Sequence, residues 1–89
     1  MTWKVEYLAS AARSFTKIDP QHRRRIRAYL EERVVSLEHP RQLGKALKGE
    51  LNEFWRYRVG DYRVICQIQD DRLVVLVVRA AHRKDVYEE

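Results

Sequence analysis

Apolar and polar residues alternate strictly from Trp55 to Val59, and the apolar positions resume at every second residue from Tyr62 to Ile68. Trp55, Tyr57 and Val59 fall on one side of a strand, and Phe54, Arg56 and Arg58 on the other. Gly60-Asp61 reads as a two-residue hairpin loop, with glycine where a type II′ turn needs positive φ. That loop sets Val59 opposite Tyr62 and Arg58 opposite Arg63, and the apolar side continues through Val64, Cys66 and Ile68. A further strand is expected over 72–79, after a tight turn at Asp70-Asp71. Its Leu73–Val78 run is apolar on both faces, as a strand covered on both sides would be. The alternative is that Val74, Leu76 and Val78 floor a binding groove.

Towards the N-terminus, Trp3-Lys4-Val5-Glu6-Tyr7 alternates as a first strand. Ser10 is placed to cap a short helix with Ala11, Ala12, Phe15 and Ile18 at helical spacing. Asp19-Pro20 opens a second helix, aspartate at the N-cap and proline at the first helical position. The stripe Ile26, Tyr29, Leu30, Val34, Leu37 carries that helix to about residue 37, and His39-Pro40 stops it. The stretch from Arg41 to about Asn52 is the least regular and is expected to be a mobile loop. The segment His82–Tyr87 is too short for independent structure and must dock on the sheet or stay loose. The order β-α-α-β-β-β predicts an α+β fold, a four-stranded antiparallel sheet with the helical hairpin on one face. Trp55, Tyr57, Val64 and Cys66 line that face, and Arg56, Arg58, Arg63, Ile65 and Gln67 lie on the other, partly open side.

Composition adds a direction. The 89 residues make one small domain, and 18 Lys+Arg against 13 Asp+Glu leave a net charge of +5. Like charges directly across a strand pair are destabilising, so Arg58 facing Arg63 calls for an anionic ligand, and a nucleic acid supplies one. Cys66, the one cysteine, permits no disulfide framework and reads as a small inward hydrophobe in a reducing compartment. With no signal-peptide pattern and no apolar run long enough to span a bilayer, a soluble cytoplasmic protein without membrane contact is expected. His22 and His39 lie at helix ends without clustered ligand spacing, so neither a metal nor another cofactor is expected. Arg23-Arg24-Arg25 reads as a solvated helix face, the alternative being a contribution to RNA docking.

The run Leu47-Lys48-Gly49, the hairpin Trp55–Ile65 and the segment His82-Arg83-Lys84-Asp85-Val86-Tyr87 together resemble the RelE branch of the RelE/ParE toxin superfamily. The resemblance covers nearly the whole chain. It implies a toxin of a type II toxin–antitoxin system that enters the ribosomal A site and cuts mRNA there. It further implies a RelB-like antitoxin that neutralises the toxin and alone contacts operator DNA. Carried over by position, Arg56 and Arg58 stand where well-known members have lysines. Arg63 matches an arginine on the scissile phosphate, Arg83 a C-terminal catalytic arginine, and Tyr87 a tyrosine that stacks on a nucleotide. Lys48 stands beside the substrate, and Lys45, Arg79 and Lys84 complete the RNA-binding candidates.

RNA is cut without metal when its 2′-OH attacks the adjacent phosphorus, leaving a 2′,3′-cyclic phosphate. The reaction needs a base, an acid for the leaving 5′-oxygen, and cations for the added phosphoryl charge. Guanidinium forks suit the third task and, being permanently charged, suit the first badly. His82 offers an imidazole for proton transfer; the alternative is that arginines and ribosomal RNA orient the 2′-OH with little formal base catalysis. Two competing functions remain at this level. One is a ParE-type toxin acting on DNA gyrase, and the other an inactive relative that serves only in an antitoxin complex.

Overall fold

The computed structural model describes residues 2–47 and 53–85. Strand β1 (Lys4–Tyr7) leads into helices α1 (Ala9–Phe15) and α2 (Pro20–Ala28), and α2 continues as a π-helical turn over Tyr29–Val34. A 3-10 turn at Pro40–Gln42 follows, then strands β2 (Lys45–Ala46), β3 (Trp55–Val59), β4 (Tyr62–Gln69) and β5 (Val74–His82). A last 3-10 turn spans Arg83–Asp85.

These strands form one five-stranded sheet in the order β1-β5-β4-β3-β2, with β1 parallel to β5 and the other pairs antiparallel. The expected four-stranded antiparallel sheet is therefore corrected twice. The chain leaves β1 through two helices and returns at the far end of the sequence, so β1 meets β5 side by side and in the same direction. The fifth strand, β2, has only two residues, too few for any alternation to register. Two aromatic side chains of β3 hold its approach in place. Tyr57 donates its hydroxyl to Pro40 O at 2.7 Å, and Trp55 donates its indole N–H to Leu43 O at 2.7 Å. Gly44 adopts φ +81°, and a Cβ there would lie 2.5 Å from Arg56 O. Glycine is what lets the two backbones pass.

The hairpin has the register expected, with Val59 opposite Tyr62 and Arg58 opposite Arg63, and Gly60 has φ +60°. The helices cover the predicted face. Ala11, Phe15, Ile26, Leu30 and Val34 bury against Tyr57, Val64, Cys66, Val75 and Val77. Burial pushes the Cys66 thiol well above its ordinary pKa, which leaves it neutral and inert. Asp19 caps α2 as expected, accepting from the N–H groups of Gln21 and His22.

Ser10 does not cap α1. Leu8 holds the N-cap position, and the Ser10 hydroxyl instead donates to Val78 O at 2.7 Å. The cause is a bulge. Along β4 the partner jumps from Arg79 at Ile65 to Val77 at Cys66, so Val78 is an extra residue in β5. Beyond Tyr7 no strand flanks this edge, and α1 satisfies it with hydroxyls: Ala80 N–H donates to Ser14 Oγ at 3.0 Å. The turn before β5 is also longer than two residues, since Leu73 takes φ +55° and pairing starts at Val74.

A candidate nucleic-acid interface on the open sheet face

Directly paired residues of neighbouring strands share a face, so the register builds the site. One row crosses four strands as Lys45, Arg56, Ile65 and Arg79. The next row runs Arg58, Arg63, Ala81. The Val78 bulge matters here. Without it Arg79 would share the helix-covered face of Val75 and Val77 rather than the face of Arg56. Three strand spacings put the ends of the first row about 14 Å apart, the reach of two to three nucleotides of extended backbone. Neither row contains a carboxylate.

Arg63 is the most buried charge among the described residues, at 6% exposure. Its guanidinium bends back to the hairpin, with Nη1 3.4 Å from Gly60 O and 3.3 Å from Tyr62 O. Arg83 comes to the same turn from the other end of the chain. Its backbone N–H donates to Asp61 O at 2.8 Å, and its side chain lies 3.9 Å from the Asp61 carboxylate. Gly60-Asp61 thus gathers Arg63 and Arg83, although they are twenty residues apart. A third arginine joins them from α2: a Cβ on Gly60 would lie 2.8 Å from the Arg25 Nη1. In the sequence Arg25 is indistinguishable from the solvated Arg23 and Arg24. Only the packing of α2 over the hairpin singles it out.

His82 goes elsewhere. It pairs with Tyr62, on the helix side of the sheet, and the two rings are 5.4 Å apart. Tyr62 in turn lies 5.0 Å from the His22 ring. The His82 Nδ1 accepts the backbone N–H of Lys84 at 3.1 Å, which folds the chain into the turn that carries Arg83. The structure therefore brings Lys45, Arg56, Arg58, Arg63 and Arg79 onto one face with Arg83 at its end, and does not place His82 among them. Lys84 is exposed on the closing turn, while Arg79 donates to Asp85 O at 3.1 Å. Lys48 and Tyr87 lie outside the described residues.

A depression of about 720 Å³ is at the opposite end of the sheet, beside Arg41, Glu53, Asp70, Asp71 and Arg72. Three carboxylates on its rim make it a poor seat for phosphate. A second depression of about 520 Å³ lies where β5 passes α1, bordered by Lys17, Tyr62, Arg79, His82 and Asp85. It adjoins the end of the cationic rows.

A helical hairpin on a five-stranded mixed sheet, with a cationic open face, is an arrangement shared with toxins of toxin–antitoxin systems. Residues 5–87 match the family described as the ParE toxin of type II toxin–antitoxin systems, parDE. The chain belongs to that family and is a type II toxin of the RelE/ParE superfamily. It is 32% identical over 88 residues to Toxin RelG of Mycobacterium tuberculosis, covering 98% of each chain. Its fold superposes on the crystal structure of the toxin–antitoxin complex RelBE2 of Mycobacterium tuberculosis with a TM-score of 0.84. That match has 26% identity and covers 96% of this chain and 95% of the other. The archaeal RelE–RelB complex of Pyrococcus horikoshii matches at TM-score 0.63 and 26% identity, over 97% and 100% of the two chains. Among the described residues no helix is long and apolar enough to cross a membrane.

Proposed function

We propose that this toxin is a ribosome-dependent mRNA endoribonuclease that cleaves within the A-site codon by 2′-OH attack. The observation that carries the reading is the pair of cationic rows, completed by the bulge that turns Arg79 onto the face of Arg56. In the reaction the 2′-oxygen bonds to phosphorus, the bond from phosphorus to the 5′-oxygen breaks, and a 2′,3′-cyclic phosphate remains. Because the substrate supplies its own nucleophile, no metal-activated water is needed. Arg63, held at the hairpin, is the guanidinium set to face the scissile phosphate, and its buried position strengthens its interaction with the added charge. Arg56, Arg58 and Lys45 line the substrate backbone, and Arg83 closes the end of the site. His82 acts in this reading as a positioning residue, since its Nδ1 and ring fix the turn before Arg83. Tyr87 would stack on a base and Lys48 would flank the strand. The neutralising partner is a RelB-like antitoxin, a segment that folds on the basic face, and operator DNA is met only through it. The protein works in the cytoplasm.

The test is primer extension on mRNA incubated with this protein, with and without programmed 70S ribosomes. Cuts inside the A-site codon only in the presence of ribosomes support the reading, and cutting of naked RNA rejects ribosome dependence. The ParE description of the matched family keeps a gyrase-directed reading in play. Folded, antitoxin-free protein that cuts no RNA and instead blocks DNA supercoiling would establish it. Silence in both assays would indicate a catalytically inactive member.

A further inference from the structure

The 2′-OH that attacks phosphorus must give up its proton, and most of the open face has nothing to receive it. Arg56, Arg58, Arg63 and Arg79 fill the two rows with guanidinium groups. These keep their charge, so they stabilise phosphate and make poor bases. The His82 ring is packed against Tyr62 on the helix side, away from the rows. The Asp61 carboxylate lies at the hairpin turn, 3.9 Å from the Arg83 side chain. Lys45 is the one member of the rows that carries an amine.

Several contacts converge to place that amine. Strand β2 has two residues, fewer than strands ordinarily have, and adds little to the sheet as a strand. Yet the Tyr57 hydroxyl and the Trp55 indole fix the carbonyls of Pro40 and Leu43 just before it, each at 2.7 Å. Gly44, at φ +81°, then carries the backbone so close that a Cβ would lie 2.5 Å from Arg56 O. Of the two residues so delivered, Ala46 pairs with Trp55 on the helix side and Lys45 with Arg56 on the open face. What β2 brings to the open face is Lys45 alone.

A recess of about 230 Å³ opens beside it, bordered by Tyr29, Gly44, Lys45, Arg56 and Arg58. The Tyr29 ring packs edge-on to Tyr57, with centroids 6.2 Å apart, which fixes that wall. The titratable or charged groups around Lys45 are thus Arg56 and Arg58 from β3 and Tyr29 from the π-helical turn. No carboxylate pairs with Lys45 among the described residues. Two strand spacings, about 10 Å, separate β2 from the strand of Arg63. Two long side chains reaching inward across that gap enclose one ribose and its 3′-phosphate.

We propose that Lys45 is the catalytic base, taking the 2′-OH proton of a ribose seated in this recess. The inference rests on the nuclease reading and names the group which that reading leaves unfilled. An amine ordinarily titrates at about 10.4 and a guanidinium above about 12.5, so at any working pH the amine is neutral about a hundredfold more often. The Lys45 Nζ lone pair accepts the proton as the 2′-oxygen bonds to phosphorus. The bond from phosphorus to the 5′-oxygen breaks, and that oxygen keeps the electron pair and takes a proton from water. The ammonium then returns its proton to solvent.

The test separates a base from a mere charge. Lys45→Arg keeps the charge and loses the accessible lone pair, so it should bind programmed 70S ribosomes as the wild type does. Its single-turnover A-site cleavage should fall by about 10² to 10³. Lys45→Cys, alkylated with bromoethylamine, regains an amine and should recover most of the rate. The thioether sulfur makes that amine less basic, so cleavage should reach its maximum at a lower pH than in the wild type. The same variant alkylated with (2-bromoethyl)trimethylammonium carries a charge that holds no proton, and should stay slow. Cys66 is buried and neutral, which confines the alkylation to position 45. Folded Lys45→Arg protein that cuts at the wild-type rate would overturn the proposal, and so would equal rescue by the two labels. A wild-type protein that cuts nothing on programmed ribosomes is a different failure, that of the nuclease reading itself.

Discussion

The two cationic surfaces of this toxin are built by opposite means. On the sheet, strand register sets each charge beside the next, and Arg63 is sunk to 6% exposure against the hairpin carbonyls. On the helices the charges stand in solvent on flexible stems, and no acid pairs with Arg13, Lys17 or Arg24 among the described residues. A fixed guanidinium loses little freedom when it meets a transition state, whereas a mobile one gives attraction without geometry. The difference teaches that net charge is a poor guide to the reactive site. The five strands and residues 9–28 each carry six basic residues against one acidic residue, so the count does not tell the two surfaces apart and the packing does.

The sharpest way to break the comparison is Arg63→Ala. If the sheet does the chemistry, losing this contact should lower the A-site cleavage rate by about 10² to 10³ and abolish growth arrest. Arg63→Lys should recover only part, because it keeps the charge and loses the fork. Circular dichroism and a urea melt separate that loss from unfolding. Cleavage at the wild-type rate by folded Arg63→Ala protein would falsify the assignment.

Next in size is Gly44→Ala, which strikes the frame of the sheet face rather than its charges. At φ +81° a Cβ meets Arg56 O at 2.5 Å and the Trp55 indole nitrogen at 2.6 Å. We expect a loss of about 2 kcal/mol or more in urea denaturation, combining left-handed strain with overpacking. Ser14→Ala should cost about 1 to 2 kcal/mol, since the part-buried Ala80 N–H loses its acceptor at the bulge. If the bulge aims Arg79, that variant should also raise KM, whereas the same stability loss introduced in the helix core should not.

Much of this was legible in the residues. Alternation and Gly60 dictate the hairpin, and Asp19-Pro20 dictates the start of α2, because each signal is local and strong. Alternation alone reached the site only as far as that hairpin, to Arg56, Arg58 and Arg63, while Lys45, Arg79 and Arg83 were candidates through the family resemblance. Arg79 joins them through a bulge, and a bulge is set by what lies beside the strand: here the Ser10 and Ser14 hydroxyls from more than sixty residues away. Ser10 itself looked like a cap because serine before an apolar stripe usually is one. His82 sits next to Arg83 in sequence, yet strand alternation sends the imidazole to Tyr62 and away from the arginine rows. Strand β1 shows in its alternation, but its parallel pairing with β5 leaves no periodic trace, and neither does two-residue β2. Their pairing depends on contacts such as the Tyr57 hydroxyl on Pro40 O.

The smallest expected effect lies at the acidic end of the sheet and sharpens the contrast with the basic end. A hydrogen bond from Arg41 at 3.0 Å, followed by the contact with His39 at 3.1 Å, holds the Asp70 carboxyl below the usual carboxylate range. A depressed folded pKa means that the unfolded chain takes up a proton first as pH falls. The stabilisation is therefore complete above about pH 4, the unfolded value, and disappears as pH drops through the lower folded value. More than half of the Asp70 side chain is open to solvent, so the pair is worth less than about 1 kcal/mol. Asp70→Asn should lower stability by that amount at pH 7 and leave it unchanged near pH 2, as read by urea midpoints at the two pH values. Cleavage at pH 7 should not change, because the charges that meet RNA lie at the other end of β4. A fall in cleavage with this variant would move the substrate path along the strand, towards the depression beside Arg41 and Arg72.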